Sequence, residues 1–171
     1  VSVHASSAAP ALLVYGAKVR IAGPGGAREA DLERFFTLPA AGVTRENVLA
    51  PNELVTHVVL GKGNPKSATY VVLPKEAHDW PTALVSVSLA MSGDTVSSAR
   101  IALGAVAPVP LRCTPAEQAI AGKPLNAATA LAAGEAAVAS AKPLAGNAYK
   151  KQTAKTAVKR ALLMAATGKW S

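Results

Sequence analysis

Residues 82–106, TALVSVSLAMSGDTVSSARIALGAV, decide the fold class. Leu84, Val85, Val87 and Leu89 are mixed with serines in a β-rich run that ends at Met91. Gly93-Asp94, with Ser92 before it, makes a two-residue hairpin turn. Residues 96–106 then form a second run, and two strands joined so closely must be antiparallel. Upstream, residues 68–73 are a third strand. Downstream the chain turns helical. Thr114-Pro115-Ala116-Glu117 reads as a helix start, with Thr as N-cap, Pro at the first helical position and Glu at the third; Gly122 stops that helix. Asn126 caps a second helix running to about Ser140, and Asn147 caps a third over residues 148–167, ended by Gly168. In the third, Ala154, Ala157, Val158, Ala161, Leu162 and Ala165 share one face at spacings of three and four, with the lysines largely opposite. That is a helix docked on a sheet. Strands followed by helices predict an α+β domain, a small antiparallel sheet of about three strands packed on about three helices.

Residues 8–15 are short and apolar, and residues 17–21 alternate as a half-buried strand does. Gly23-Pro24-Gly25-Gly26 is a turn, residues 31–36 form a short amphipathic turn anchored by Phe35 and Phe36, and residues 53–60 are β-rich. The stretch 61–66, GKGNPK, is the strongest linker signal. It divides the chain into residues 1–66 and residues 67–171.

The chain has 171 residues, of which 50% are hydrophobic, with only two Phe, two Trp and three Tyr. Its core must therefore be built from Ala, Val and Leu. The formal net charge is +8, and Lys150, Lys151, Lys155, Lys159, Arg160 and Lys169 gather near the end. Such a cluster serves either a nucleic-acid or acidic surface or the solvated face of a terminal helix. No aromatic residues interleave with the lysines as a stacking platform needs, which favours the solvated face. Cys113 is the single cysteine, so the chain can form neither an internal disulfide nor an iron–sulfur or Cys-rich zinc site by itself. One cysteine also suits a reducing, cytoplasmic compartment. The sequence holds no apolar run of membrane-spanning length and no signal-peptide pattern. It opens on Val1 without an initiating Met, as a fragment, a processed product or an excised piece would.

His4, His57 and His78 lack metal-ligand spacing, and no nucleophile elbow is present. The segment Gly23–Gly26 lacks the Lys-Ser/Thr of a phosphate loop and follows a strand without opening a long helix, so it reads as a hairpin turn. The unusual cluster is YVVLPKEAHDWP, residues 70–81, which sets an aromatic, a cation, two acids, a histidine and a Trp in one connection between strands. It is either a polar turn whose Trp80 plugs the core or a loop bordering a flat heteroaromatic cofactor.

Residues 99–112, ARIALGAVAPVPLR, resemble the "aRialGgvaptPvRa" signature of the flavin subunits of molybdenum hydroxylases, the xanthine dehydrogenase and carbon monoxide dehydrogenase family. Collinear matches follow. Ala116-Glu117 with residues 121–125, AGKPL, resembles "aE…l.Gk.l", and residues 148–150 with 158–162 resemble the closing "a.YR…lv.Ral" helix. At the front, residues 4–12, HASSAAPAL, are similar to "hpSDlaPaL". The resemblance covers nearly the whole chain. It implies that residues 1–66 are part of the second lobe of a flavin-binding domain and that residues 67–171 are the separate C-terminal domain.

What the resemblance implies for function is electron transfer. In this family electrons pass from molybdenum through two 2Fe–2S clusters to FAD and on to NAD or another acceptor. The molybdenum cofactor and the clusters sit on partner subunits, an iron–sulfur chain and a molybdenum chain, often in a dimer of trimers. Carried over by position, Ser6 and Ser7 fall at the edge of the flavin-contact segment and Leu54 and Val55 where apolar residues approach the ring. Tyr70, Lys75, Asp79 and Trp80 fall on the stretch bordering the isoalloxazine. Two departures stand out. Ser7 replaces the family's Asp, and the Gly-rich loops that cradle the FAD diphosphate are absent. FAD affinity should then be weak unless another polypeptide or segment supplies that half. A domain that keeps the fold for docking without binding flavin is the alternative. No nucleic-acid partner and no catalytic or metal residue is expected.

Overall fold

The computed structural model describes residues 3–39, 45–63, 65–75 and 78–169. Asn64 of the linker and Glu76 and Ala77 of the 70–81 cluster lie outside the described residues. In chain order the elements are α1 (Ala8–Val14), β1 (Lys18–Gly23), β2 (Gly26–Asp31), a 3-10 turn (Leu32–Arg34), β3 (Leu54–Val59), β4 (Lys66–Val72), β5 (Ala83–Ser92), β6 (Thr95–Gly104), β7 (Leu111–Arg112), α2 (Thr114–Ile120), α3 (Ala127–Val138), a second 3-10 turn (Ala145–Asn147) and α4 (Tyr149–Thr167). Among these, no helix is long and apolar enough to cross a membrane.

The strands build two antiparallel sheets, one in the order β2-β1-β3 and one in the order β4-β5-β6-β7. The hairpin read from Gly93-Asp94 is present: Ser92 pairs with Thr95, and Gly93 takes a φ of 58°, as the first central residue of a tight hairpin turn requires. The larger sheet has four strands rather than three. The short β7 adds to β6 through Ala102↔Arg112 and Leu103↔Leu111. Two residues are too few for a periodic signal.

Val85, Val87, Leu89, Ile101 and Leu103 face the helical layer, where Ile120, Ala133, Ala157, Val158 and Leu162 meet them. The six α4 residues expected to share a face are the six that are buried. Each fully buried Val, Leu or Ile here contributes roughly 1.5–3 kcal/mol. The opposite face of the sheet is covered as well, by α1. Pro10 packs so tightly there that a Cβ on Gly104 would stand 2.8 Å from its Cγ. Ser86 and Ser88 of β5 are therefore buried rather than facing solvent. Ser86 is fully buried and its hydroxyl meets Thr69 Oγ1 at 2.9 Å. A second cluster, Leu13, Val14, Val19, Ile21, Leu32 and Phe35 with Ala102 of β6, joins the smaller sheet to the larger one.

Two helix starts differ from the sequence reading. Cys113, not Thr114, is the N-cap of α2, and no side chain caps it. Glu117 does not turn back to the helix start because Ile101 N–H and the Arg112 guanidinium hold its carboxylate. Asn147 closes the second 3-10 turn, accepting from Leu144 N–H at 2.7 Å, and Ala148 caps α4. Asn126 behaves as read, forming a capping box with Thr129.

Ala105 is the one non-glycine residue with positive φ among those described, at 60°. A left-handed L-residue costs about 1–2 kcal/mol, whereas glycine gives back roughly 0.5–1 kcal/mol in chain entropy. Ala105→Gly should therefore stabilise the chain by up to about 1 kcal/mol, read as a higher midpoint in thermal unfolding.

Candidate functional site

Leu54 and Val55 begin β3, an edge strand of the smaller sheet, opposite Ala22 and Ile21 of β1. Ile21 is fully buried, but Leu54 is 59% exposed, Val55 37%, Val58 47% and Leu60 54%. An edge strand carrying three exposed aliphatic side chains, with a fourth on the residue after it, is unusual, because such strands pair or aggregate unless covered.

Glu53 fixes the start of this strand. Its carboxylate accepts from Arg28 Nε and Nη2 and from Ala50 N–H, each at 2.8 Å. The Arg28 hydrogen bonds, helped by the Ala50 N–H, hold the Glu53 carboxyl at about 2, below its ordinary 4.5. A carboxyl depressed on folding stabilises the fold above its unfolded pKa, and that contribution is lost as pH falls through the folded value. The protein should lose stability between pH about 4.5 and about 2. Glu53→Gln should flatten that part of a pH series of thermal melts.

The Gly23–Gly26 segment is a β1–β2 hairpin turn, as read. Among the described residues, the cleft beside it contains a single cation, Arg28, already held by Glu53. It is ill suited to a phosphate.

Lys75, Asp79 and Trp80 lie on the connection between β4 and β5, which is closed at its base by Thr82 N–H donating to Val72 O at 2.8 Å. Lys75 and Asp79 are exposed. Trp80 is 76% exposed, so it does not plug the core. Tyr70 is half-buried against the helical layer, where its hydroxyl accepts from Arg160 of α4 and the Arg160 guanidinium stands 5.4 Å from its ring centre. Ser6 and Ser7 are exposed just before α1. Ser6 Oγ accepts from Ala9 N–H at 3.2 Å, whereas Ser7, the N-cap by position, makes no cap hydrogen bond. The eight candidates thus stand on three elements: the start of α1, the edge strand β3, and β4 with its following loop.

Charged residues that the sequence did not single out as functional tie the 3-10 turn after β2 to β6, β7 and α2. Glu33, on the 3-10 turn after β2, meets Arg112 of β7 at 3.0 Å and Arg100 of β6 at 3.5 Å. Arg112 continues to Glu117 at 3.0 Å. The resulting chain ties the smaller sheet to the larger one beside a cleft of about 620 Å³ also lined by Arg34, Asp31 and Gly16. Tyr15 OH and Ser67 Oγ, 2.7 Å apart, add a second tie. The available signal was an arginine inside an apolar strand, at position 100. Cys113 is buried, and burial pushes its thiol up, so it stays protonated within the core.

The family model of the CO dehydrogenase flavoprotein C-terminal domain matches residues 68–165, from β4 into the last turn of α4. The chain belongs to this family. The carbon monoxide dehydrogenase medium chain of Hydrogenophaga pseudoflava is 34% identical over 164 residues, which are 93% of this chain and 56% of that one. The xanthine dehydrogenase FAD-binding subunit of Escherichia coli is 29% identical over 147 residues, 83% of this chain and 48% of its own length. The solved carbon monoxide dehydrogenase of H. pseudoflava lacking the Mo-pyranopterin moiety superposes with a TM-score of 0.82 at 31% identity, over 95% of this chain and 57% of that one. This member of the CO dehydrogenase flavoprotein family thus spans about half the length of the relatives it matches. Its β4–β7 sheet and three-helix layer form the α+β arrangement expected from the order of strands and helices.

Proposed function

We propose that the chain is part of the FAD-binding subunit of a multi-subunit molybdenum hydroxylase, with residues 1–66 as one side of the flavin domain and residues 67–171 as its C-terminal domain. The observation that carries this reading is the open edge of β3. Leu54 and Val55 are apolar, exposed and rigidly based on Glu53, as a surface meeting a flat ring or its covering polypeptide should be. The exposed indole of Trp80, with Lys75 and Asp79, offers an aromatic and polar border of the same kind. Ser6 and Ser7 would touch its margin, and Tyr70 would act on it through Arg160. These side chains are of the kind that would border the ring, whereas the glycine-rich β1–β2 turn, a hairpin whose arginine is already paired with Glu53, does not suit a diphosphate. The remaining half of the flavin site would come from another segment or chain.

FAD, when bound, would supply the redox chemistry, taking electrons from 2Fe–2S clusters on an iron–sulfur subunit, fed by the molybdenum cofactor of a third subunit, and passing them to NAD or another acceptor. This chain's residues would exclude water and border the ring. A cytoplasmic assembly fits the single buried thiol.

Leu54→Asp tests this in the assembled flavoprotein. A carboxylate placed against the ring should lower the flavin-to-protein ratio at least about tenfold, since the unpaired charge must lose its water. An unchanged ratio contradicts contact at β3. Ser7 in place of the family's Asp, making no cap bond, favours a second reading, a docking domain that keeps the fold without flavin. Under that reading neither Leu54→Asp nor Trp80→Ala changes the activity of the parent complex.

A further inference from the structure

We propose that the groove between the end of α3 and the start of α4 docks an acidic segment, with an apolar side chain at its centre, from another subunit of the assembly. This rests on the multi-subunit reading above. The groove has a volume of about 260 Å³. That is below the roughly 300–1,000 Å³ of small-molecule sites, and suits a side chain better than a cofactor. Its floor is apolar, with Leu103, Val106 and Val138, and its rim carries Lys142, Lys150 and Lys151. No carboxylate among the described residues lines it.

The three lysines differ in their partners. Lys150 Nζ donates to Ala105 O at 3.1 Å, so the strained Ala105 turn orients one ammonium at the groove's edge. Lys142 and Lys151 make no ion pair among the described residues. The adjoining chain exposes large apolar side chains where a monomer would hide them: Leu111 on the lining, and Leu144 and Tyr149 flanking it in sequence. An apolar centre that includes the exposed Leu111, inside a polar rim, is the composition of a protein interface. Uncompensated lysines on a chain of net charge +8 select a negative partner. A nucleic-acid backbone would answer the lysines but leave the apolar floor wet.

Carbodiimide coupling of the natively isolated assembly tests this, because it joins amines only to carboxylates in contact with them. Links from Lys142 or Lys151 to Asp or Glu of the iron–sulfur or molybdenum subunit are expected. The double variant Lys142→Glu, Lys151→Glu should weaken that subunit's association at least about tenfold, with thermal unfolding of the isolated chain unchanged. If the subunits co-purify but both lysines acetylate as fast as in the isolated chain, or couple only to the polypeptide that completes the flavin domain, the groove proposal is overturned and the multi-subunit reading stands. Equal loss of binding to duplex DNA and to the subunits would also overturn it. If no other subunit co-purifies, both fall.

Discussion

Glu117→Ala is expected to destabilise the protein by about 3 kcal/mol, lowering the unfolding midpoint by about 6–12 °C for a chain of this size. Glu117 is 7% exposed, yet it carries a charge. Three hydrogen bonds make that tolerable: Ile101 N–H at 2.9 Å, Arg112 Nε at 3.0 Å and Arg112 Nη2 at 3.0 Å. Truncation orphans the buried Ile101 N–H of β6, which is costly, and removes one of the two carboxylates held by Arg112. Glu117→Gln keeps an acceptor for Ile101 and should cost less, about half. The effect should reach beyond α2, since Arg112 also holds Glu33 and, with it, the smaller sheet. Hydrogen exchange in β1 and β3 should therefore quicken in Glu117→Ala. A midpoint within about 2 °C of the parent would show that the charged chain does not tie the sheets together.

Gly134→Leu should cost about 3 kcal/mol or more, and Gly134→Ala about 1–3 kcal/mol. Gly134 lies where α3 crosses α4, and a Cβ there would stand 2.5 Å from the Lys155 carbonyl oxygen. The obstacle is backbone, so no rotamer change relieves it and α4 must move bodily. Helix propensity pulls the other way by about 1 kcal/mol in favour of Ala, and the collision outweighs it. The surrounding Ala130, Ala133, Ala154, Ala157 and Ala161 are small for the same reason, so the shift would open voids along the crossing. Gly146→Ala is the control, because its Cβ meets nothing within 4 Å. Denaturant unfolding of the three variants ranks them directly; equal midpoints would contradict the close crossing.

The sequence made legible those features whose cause is local. The α4 face came from spacing alone, the β5–β6 hairpin from Gly93-Asp94, and the α3 cap from Asn126, each set by residues within a few positions. What it hid depends on distant partners. Ser86 is polar within a β-rich run, and its full burial, with Thr69 of the neighbouring strand as partner, could not be read from its own neighbours in sequence. Thr114 and Glu117 look like a capping box, but Ile101 and Arg112 take the glutamate. The hydrogen bond from Arg160, 90 positions away, to the Tyr70 hydroxyl likewise had no local signal. Of the candidate site, the exposure of Leu54, Val55 and Trp80 accords with a surface awaiting a partner, whereas the Arg100–Glu33–Arg112–Glu117 chain that ties the 3-10 turn to β6, β7 and α2 had no signature in spacing.

Intact mass spectrometry with a visible absorption spectrum of the natively isolated complex tests the central claim most directly. The account predicts a second segment or chain carrying the diphosphate-binding half, with flavin bands near about 370 and 450 nm. A lone chain of 17.3 kDa with no visible absorption would contradict it and leave a docking domain without an electron-transfer role.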